Sequence, residues 1–332
     1  MPVLSKPEKD VQRQLLLVNI HMMANVSLSL LCFNTRTVLL AKLVKGDPKR
    51  MAKYLAAWSS SVGLAEFILN PTIGALSDRY GRKLFMMMSP AVNIVLKSLV
   101  LLKPSLLTLT IEKIFCDATR TMAGSTMSKA AICDIVSGED LGAAIGQLYT
   151  WAGASVTIAP LVAAYLQTRK GGNWRQPYTL AALLALVTLC GQHFFMEDTL
   201  PEASRVEFHR GCIISPFSLS LFSNGRKLAF LSLISMAQFL VEPKNLTDSA
   251  QLLQMNELKW STQQMSNYTS AIGIAMFFAG PIGRRSLKHF GISGHTTATN
   301  LLTIITFALK GSYTSTSIMW ATMLLSAFCE GP

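Results

Sequence analysis

Ten apolar runs, separated by short polar stretches, constrain this 332-residue chain more than any other feature. They lie near 15–40, 54–76, 84–102, 105–133, 144–166, 177–196, 228–253, 263–282, 296–310 and 315–329. A helix rises about 1.5 Å per residue, so about 20 mostly apolar residues cross the hydrocarbon core of a bilayer. Inside that core each backbone N–H and C=O must bond within its own segment, and for runs of this length only the α-helix does so. The expected fold class is therefore an all-α polytopic membrane protein, with the lipid bilayer as its first partner.

Composition agrees. Half the residues are hydrophobic and 14% are charged, against roughly 25% charged in soluble domains. The chain lacks the polar surface of a cytosolic enzyme or a disordered protein. Its net charge of +12 belongs to helix ends rather than to a nucleic-acid interface, and no nucleic acid is expected as a partner. The six cysteines (Cys32, Cys116, Cys133, Cys190, Cys212, Cys329) form no CxxC pair, and most lie in apolar runs, where cysteine behaves as a small hydrophobe. The sequence holds no HExxH, GxSxG or Walker loop and no metal-spaced His/Cys cluster. No metal, cofactor or enzymatic chemistry is expected.

The runs divide the chain. Residues 1–14 are polar, 15–196 hold six runs, 197–227 form a polar connection, and 228–332 hold four. No small-residue cleavage site follows the first run, so it reads as a retained helix. With the N-terminus inside, thirteen Lys and Arg fall in inner loops and eleven in outer ones, which leaves orientation undecided under the positive-inside rule.

Between the second and third runs stands Gly74-Ala75-Leu76-Ser77-Asp78-Arg79-Tyr80-Gly81-Arg82-Lys83. A tight connection between antiparallel helices needs glycine for φ > 0 and close backbone approach. Asp78 precedes the third helix, where a carboxylate suits the positive end of its dipole. Arg79, Arg82 and Lys83 can pin helix ends at the membrane surface. This stretch closely resembles the signature loop of the major facilitator superfamily, G-x-L-[SA]-D-R-x-G-R-[KR], and the resemblance extends along the chain. It implies two six-helix halves joined by a cytoplasmic loop, with the signature on the cytoplasmic face as a gating motif formed by Gly74, Leu76, Asp78, Arg79, Gly81, Arg82 and Lys83. A weaker copy is expected at Gly280-Pro281-Ile282-Gly283-Arg284-Arg285, where Arg284 takes the place of the acid. In the fourth run, Arg120 and Gly124 match the family's R-x-x-x-G. In the fifth, Gly146, Ser155, Ala159 and Pro160 match an antiporter pattern in which lost glycines have become Ser or Ala. An ordinary small-residue packing face accounts for that pattern equally well. Glu197-Asp198-Thr199-Leu200-Pro201-Glu202 resembles the family's exit into the central loop. Relatives carry twelve helices, so ten runs imply an incomplete second half, without the eleventh helix that meets the signature aspartate.

Charges inside apolar runs each cost roughly 2.5–3.5 kcal/mol on insertion scales and mark function or a paired interior. In the fourth run Lys113, Asp117, Arg120, Gly124 and Ser128 form one helical stripe, with Asp117 and Arg120 placed to neutralise each other. The alternative is a purely structural pair. In the seventh, Glu242-Pro243-Lys244 falls where a broken helix would hold substrate or ions; the alternative is that the helix stops at Val241 and these residues begin an outer loop. Glu66 stands alone in the second run, either a proton carrier or a hydrogen-bonded structural acid. The substrate or proton path is therefore expected at Glu66, Asp117, Arg120, Glu242 and Lys244. None of the five histidines is assigned chemistry.

The resemblance implies transport of a small organic solute by alternating access, with proton-coupled efflux, in a plasma or vacuolar-type membrane. The alternative is a non-transporting, degenerate or truncated relative acting as a receptor or scaffold, or an inactive fragment.

Overall fold

The computed structural model describes residues 8–138, 140–170, 172–202, 205, 225–241, 248–310 and 315–329. The described residues are almost wholly helical. α1 spans Glu8–Leu43, α2 Pro48–Tyr80, α3 Arg82–Leu102, α4 Leu106–Thr119, α5 Met127–Ile135, α6 Asp140–Thr168 and α7 Arg175–Phe195. Then come α8 (Arg226–Val241), α9 (Asp248–Leu252), α10 (Thr262–Lys310) and α11 (Thr316–Cys329). A π-helical segment, Arg120–Thr126, joins α4 to α5 in one continuous rod, and a second, Leu253–Glu257, extends α9.

Local signals fix several ends. Asp47 caps α2 by accepting from the amides of Lys49 (2.9 Å) and Arg50 (3.3 Å), with Pro48 at the first helical position, where its missing N–H costs nothing. Ser105 and Thr108 form a reciprocal capping box at α4. α10 is two helices broken at Gly291, whose φ of 66° and ψ of 177° interrupt the helical backbone. The expected copy at 280–285 lies within the helix, as its counterpart 74–79 lies within α2, and the chain bends later, at Gly291. A proline such as Pro281 is tolerated in a membrane helix whose neighbours satisfy the freed carbonyl.

Four helices among the described residues are long and apolar enough on their own to cross a membrane: Lys9–Leu43, Arg82–Leu102, Asp140–Thr168 and Arg175–Phe195. Their outward faces are apolar. Val95, Tyr165 and Val187 are each more than 60% exposed, a pattern that would drive aggregation in water and suits contact with lipid.

Inside, two apolar clusters fill the first seven helices. One gathers Leu39, Leu40, Met51, Trp58, Leu109 and Tyr178 away from the signature loop. The other gathers Val18, Phe85, Met86, Met127, Ile132 and Leu148 nearer to it. Along α3 and α4 the buried charged residues fall between these clusters. A third cluster, Trp260, Met265, Tyr268, Ile272, Met319 and Met323, joins α10 to α11.

Candidate functional site

The signature loop turns at Gly81, with φ 94° and ψ 159°. Two constraints require glycine there. The positive φ disfavours a side chain, and a Cβ would lie 1.7 Å from Asp198 Oδ2. Asp198, just beyond α7, accepts from the Arg82 amide at 2.9 Å and the Leu200 amide at 3.1 Å, and pairs with Arg205 at 3.2 Å. The carboxylate at the α3 N-terminus is thus Asp198, not Asp78 as the order of the sequence suggests. Asp78 instead meets the Arg82 guanidinium at 2.6 Å. Arg82 also bonds Asp134 at the end of α5 (3.1 Å) and the Ser77 hydroxyl, and Thr199 Oγ1 donates to Asp134 at 3.3 Å. Lys83 donates to the His193 carbonyl at 2.8 Å, and Arg79 stacks on Tyr80 with 4.9 Å to the ring centre. One arginine therefore ties the ends of α2 and α5 to the stretch after α7. Gly74 has open space around it, and Leu76 packs at the edge of the nearer apolar cluster.

Deeper in the same helices lies a row of buried charges. Arg36 on α1 grips Glu112 on α4 through Nε–Oε2 and Nη2–Oε1, both 2.8 Å. Lys97 on α3 reaches the same carboxylate at 3.3 Å and lies 5.6 Å from the Tyr178 ring centre. Asp117 pairs with Lys113 at 2.8 Å and with Arg36 at 3.7 Å, and Ser29 Oγ donates to it at 3.4 Å. Asp117 is held first by Lys113 and Arg36, and the charge of Arg120, one turn on, also acts on it. Arg120 Nε is buried without a hydrogen-bond partner. Arg36, Lys97 and Glu112 are additions to the expected set. Their charges inside apolar runs were the available signal, but their convergence needed the helix rotations.

Glu66 on α2 is half-buried and makes no hydrogen bond or ion pair among the described residues. Glu242 and Lys244 lie outside the described residues. In α6, Ser155 donates to the Met23 carbonyl of α1 at 2.7 Å, and Ala159, Pro160, Ala163 and Ala164 are buried, whereas Gly146 faces open space. On another face of α6, Gly153 would place a Cβ 2.7 Å from the Phe277 amide, and Gly273 would place one 2.3 Å from the Thr157 amide. Close backbone approach thus comes from Gly153 and Gly273, outside the expected motif, while the motif's small residues face α1.

Among the described residues, three side-chain hydrogen bonds join α1 to the helices that follow residue 247. Asn34 donates to Ser266 (2.9 Å), Gln251 donates to Asn34 (2.9 Å), and Thr37 donates to Gln251 (2.6 Å). All lie toward the end opposite the signature loop.

The comparisons with known proteins agree with this architecture. A sequence profile described as Major Facilitator Superfamily matches residues 31–332. The fold is similar to that of the human organic anion transporter MFSD10 (TETRAN), with a TM-score of 0.73 and 16% identity over 98% of this chain and 83% of that one. It is similar also to a D-xylose-proton symporter (TM-score 0.68, 13% identity, 97% and 80% covered). The nucleoside transporter NupG is a third such fold (0.65, 14%, 95% and 79%). No curated protein sequence matches. With most of its length matched by the family profile, and with the signature turn held as described, the chain belongs to the Major Facilitator Superfamily and is a multi-pass membrane protein of the solute-transport class rather than an enzyme.

Proposed function

We propose that this chain exports a small organic solute in exchange for protons, by rocking residues 15–196 against 228–332 around a central path, with 197–227 as the cytoplasmic link. The observation that carries this reading is the position of the contacts between the two sets of helices. Asn34, Thr37, Gln251 and Ser266 join the two sets at the end opposite the signature loop, the arrangement that a state opening toward the loop would have. The backbone contacts at Gly153 and Gly273 supply a smooth surface on which α6 and α10 can pivot.

Asp117 and Arg120, joined by Glu242 and Lys244, would line the path, and Glu66, which has no described partner, would carry the proton. A lone carboxylate in low dielectric is suited to taking up and releasing one. Among the described residues the buried row sets Arg36, Lys97 and Lys113 against Glu112 and Asp117. Three cations against two acids favour a solute bearing negative charge, the class named for the human structural neighbour. The seven signature residues would form the cytoplasmic gate, in a plasma or vacuolar-type membrane.

The test is flux in proteoliposomes with an imposed pH gradient, using a fluorescent organic anion and a fluorescent organic cation in parallel. Saturable, gradient-dependent movement of the anion, lost in Glu66→Gln, is expected. Absence of saturable flux for both dyes defeats the transport reading. Flux that persists when the gradient is collapsed removes proton coupling.

A further inference from the structure

His21 sits on α1, 2% exposed, where three helices meet. Its Nε2 lies 2.9 Å from the Ala123 carbonyl, inside the π segment Arg120–Thr126. A carbonyl oxygen only accepts, so Nε2 carries the ring proton. Nδ1 then accepts, facing Gln192 Nε2 of α7, while Asn25 Nδ2 stands 3.0 Å from both ring nitrogens and donates to the His21 carbonyl at 3.1 Å. This is a neutral ring. The two amides around it each hold a buried oxygen with no hydrogen-bond partner, Asn25 Oδ1 and Gln192 Oε1. A half-turn of the Gln192 amide places Oε1 opposite Nδ1, where a second ring proton requires an acceptor. The shell thus has a partner ready for both protonation states.

The same face of α1 runs from His21 through Leu17 and Gln14 to Asp10, at helical spacing. Leu17, Gln14 and Asp10, with Arg13, Phe195 and Glu197, line an open cavity at the signature-loop end, and His21 lies beyond its lining. Gln14 donates to Glu197 at 3.2 Å, and its own Oε1 is buried without a partner. Gln14 and His21 are seven residues apart, about 10 Å along the helix. On α7, Gln192 stands one turn from Phe195. The polar mouth and the buried ring therefore share two helix faces.

No charged side chain bonds the imidazole among the described residues. The titratable groups on the elements around it are engaged elsewhere or lie at a distance along their helices. α1 contributes Asp10 and Arg13 at the cavity. The rod of α4 and α5 contributes Asp117 (on Lys113), Arg120 one turn before Ala123, Lys129 (over Tyr149) and Asp134 (on Arg82). α3 contributes Arg82, Lys83 and Lys97, each already bonded. From α7 come His193, stacked on Phe194, and the Glu197 that follows the helix. The nearest polar group of α6, Ser155, bonds Met23.

We propose that His21 is a proton-binding site, filled and emptied through the cavity between Asp10 and Glu197, and that its occupancy reaches the charged row of α4 through the Ala123 carbonyl. A π segment holds a carbonyl out of the regular i→i+4 ladder, and such segments recur at functional sites. This one lies immediately after Asp117, so a change of register there moves the row. The proposal deepens the proton-coupled reading and rests on it for its role in transport.

The test reads the ring directly. The full chain, labelled with 13C,15N-histidine, is placed in lipid nanodiscs, and its histidine signals are followed by NMR from about pH 3 to pH 8, a window that reaches below the range in which a free imidazole titrates. Loss of one signal in His21→Gln assigns it. The expected result is a titrating His21 whose midpoint falls by about one unit, a tenfold loss of proton affinity, in Gln192→Leu and rises in Gln192→Glu. A ring fixed in one protonation state across the range, or a midpoint indifferent to both Gln192 variants, overturns the site. Amide exchange over 120–126 should differ between wild type and His21→Gln at low pH and converge at high pH; equal exchange throughout overturns the link to α4. Titration without flux of either dye would sink the transport reading and leave this site standing. Proton-driven flux with a silent His21 would do the reverse.

Discussion

Arg36 and Glu112 meet in a two-point pairing, both contacts at 2.8 Å, with the arginine 3% exposed and the glutamate fully buried. The geometry is the parallel fork that makes arginine–carboxylate pairs strong. Glu112 also serves Lys97, so one acid holds two helices, α1 and α3, against α4.

Removing that acid should be more harmful than removing either cation. Glu112→Gln takes the acid from Lys97 and leaves Arg36 only its 3.7 Å contact with Asp117, and breaking a buried pair costs about 3–5 kcal/mol. Lys97→Met leaves the Arg36–Glu112 fork intact and is expected to cost less. Thermal melts in detergent check the order. A Glu112→Gln protein as stable as Lys97→Met would show that the fork is not what holds α4.

Gly81→Ala is expected to lower folded yield far more than Gly46→Ala. Both glycines have positive φ, 94° and 74°, and each substitution places a side chain in left-handed backbone at roughly 1–2 kcal/mol. Gly46 has nothing within 4 Å, whereas Gly81 is covered by Asp198. The difference between the two variants reports the contact with Asp198 together with the extended positive-φ backbone of Gly81, whose ψ is 159°. Arg82→Lys should show a related loss, because a single ammonium cannot hold Asp78, Asp134 and Ser77 in the arginine's planar fork.

How far the sequence reveals this arrangement depends on the residue. The apolar runs translate into helices because lipid leaves the backbone no alternative, and Gly81 was readable because a tight turn demands it. Asp198 and Asp134 were not readable as partners of Arg82, since they arrive 116 and 52 residues later along the chain. Arg36, Lys97 and Glu112 were visible as charges in apolar runs. Their meeting depends on the rotation of three helices, and rotation is weakly encoded where the lipid-facing and core-facing sides are both apolar. The π segment at Arg120 has no residue signature, so the approach of the Ala123 carbonyl to His21 was not readable. Residues 280–285 are helical, as are their counterparts 74–79 in α2, and the positive φ described in α10 belongs to Gly291.

The α6–α10 contact should be sensitive at two glycines and tolerant at a third. Gly273→Ala and Gly153→Ala each drive a Cβ into facing backbone, at 2.3 and 2.7 Å, while Gly146→Ala meets open space. Overpacking of this kind costs about 1–3 kcal/mol. Gly273→Ala is expected to lower the melting temperature and solute flux, and Gly146→Ala to match wild type. Equal behaviour of all three would mean that the helices separate freely and that the contact does not guide motion.

The contacts at the far end give the most direct view of movement. Asn34 takes Gln251 and Ser266 together, and Thr37 adds a second bond to Gln251. Interhelical bonds in membranes are worth about 0.6 kcal/mol on average, so this set can hold a closed end and still release within a transport cycle. Cysteines at Asn34 and Gln251 should therefore be joined by a short thiol cross-linker when this end is closed. Cys133 and Cys190 are exposed thiols, so the experiment needs a background with the native cysteines replaced. Cross-linking should abolish flux, and reductive release should restore it, because alternating access requires this end to open. The unlinked double variant supplies the baseline. Full flux through quantitatively cross-linked protein would show that Asn34 and Gln251 stay together throughout the cycle, and the rocking motion would have to be sought along another axis.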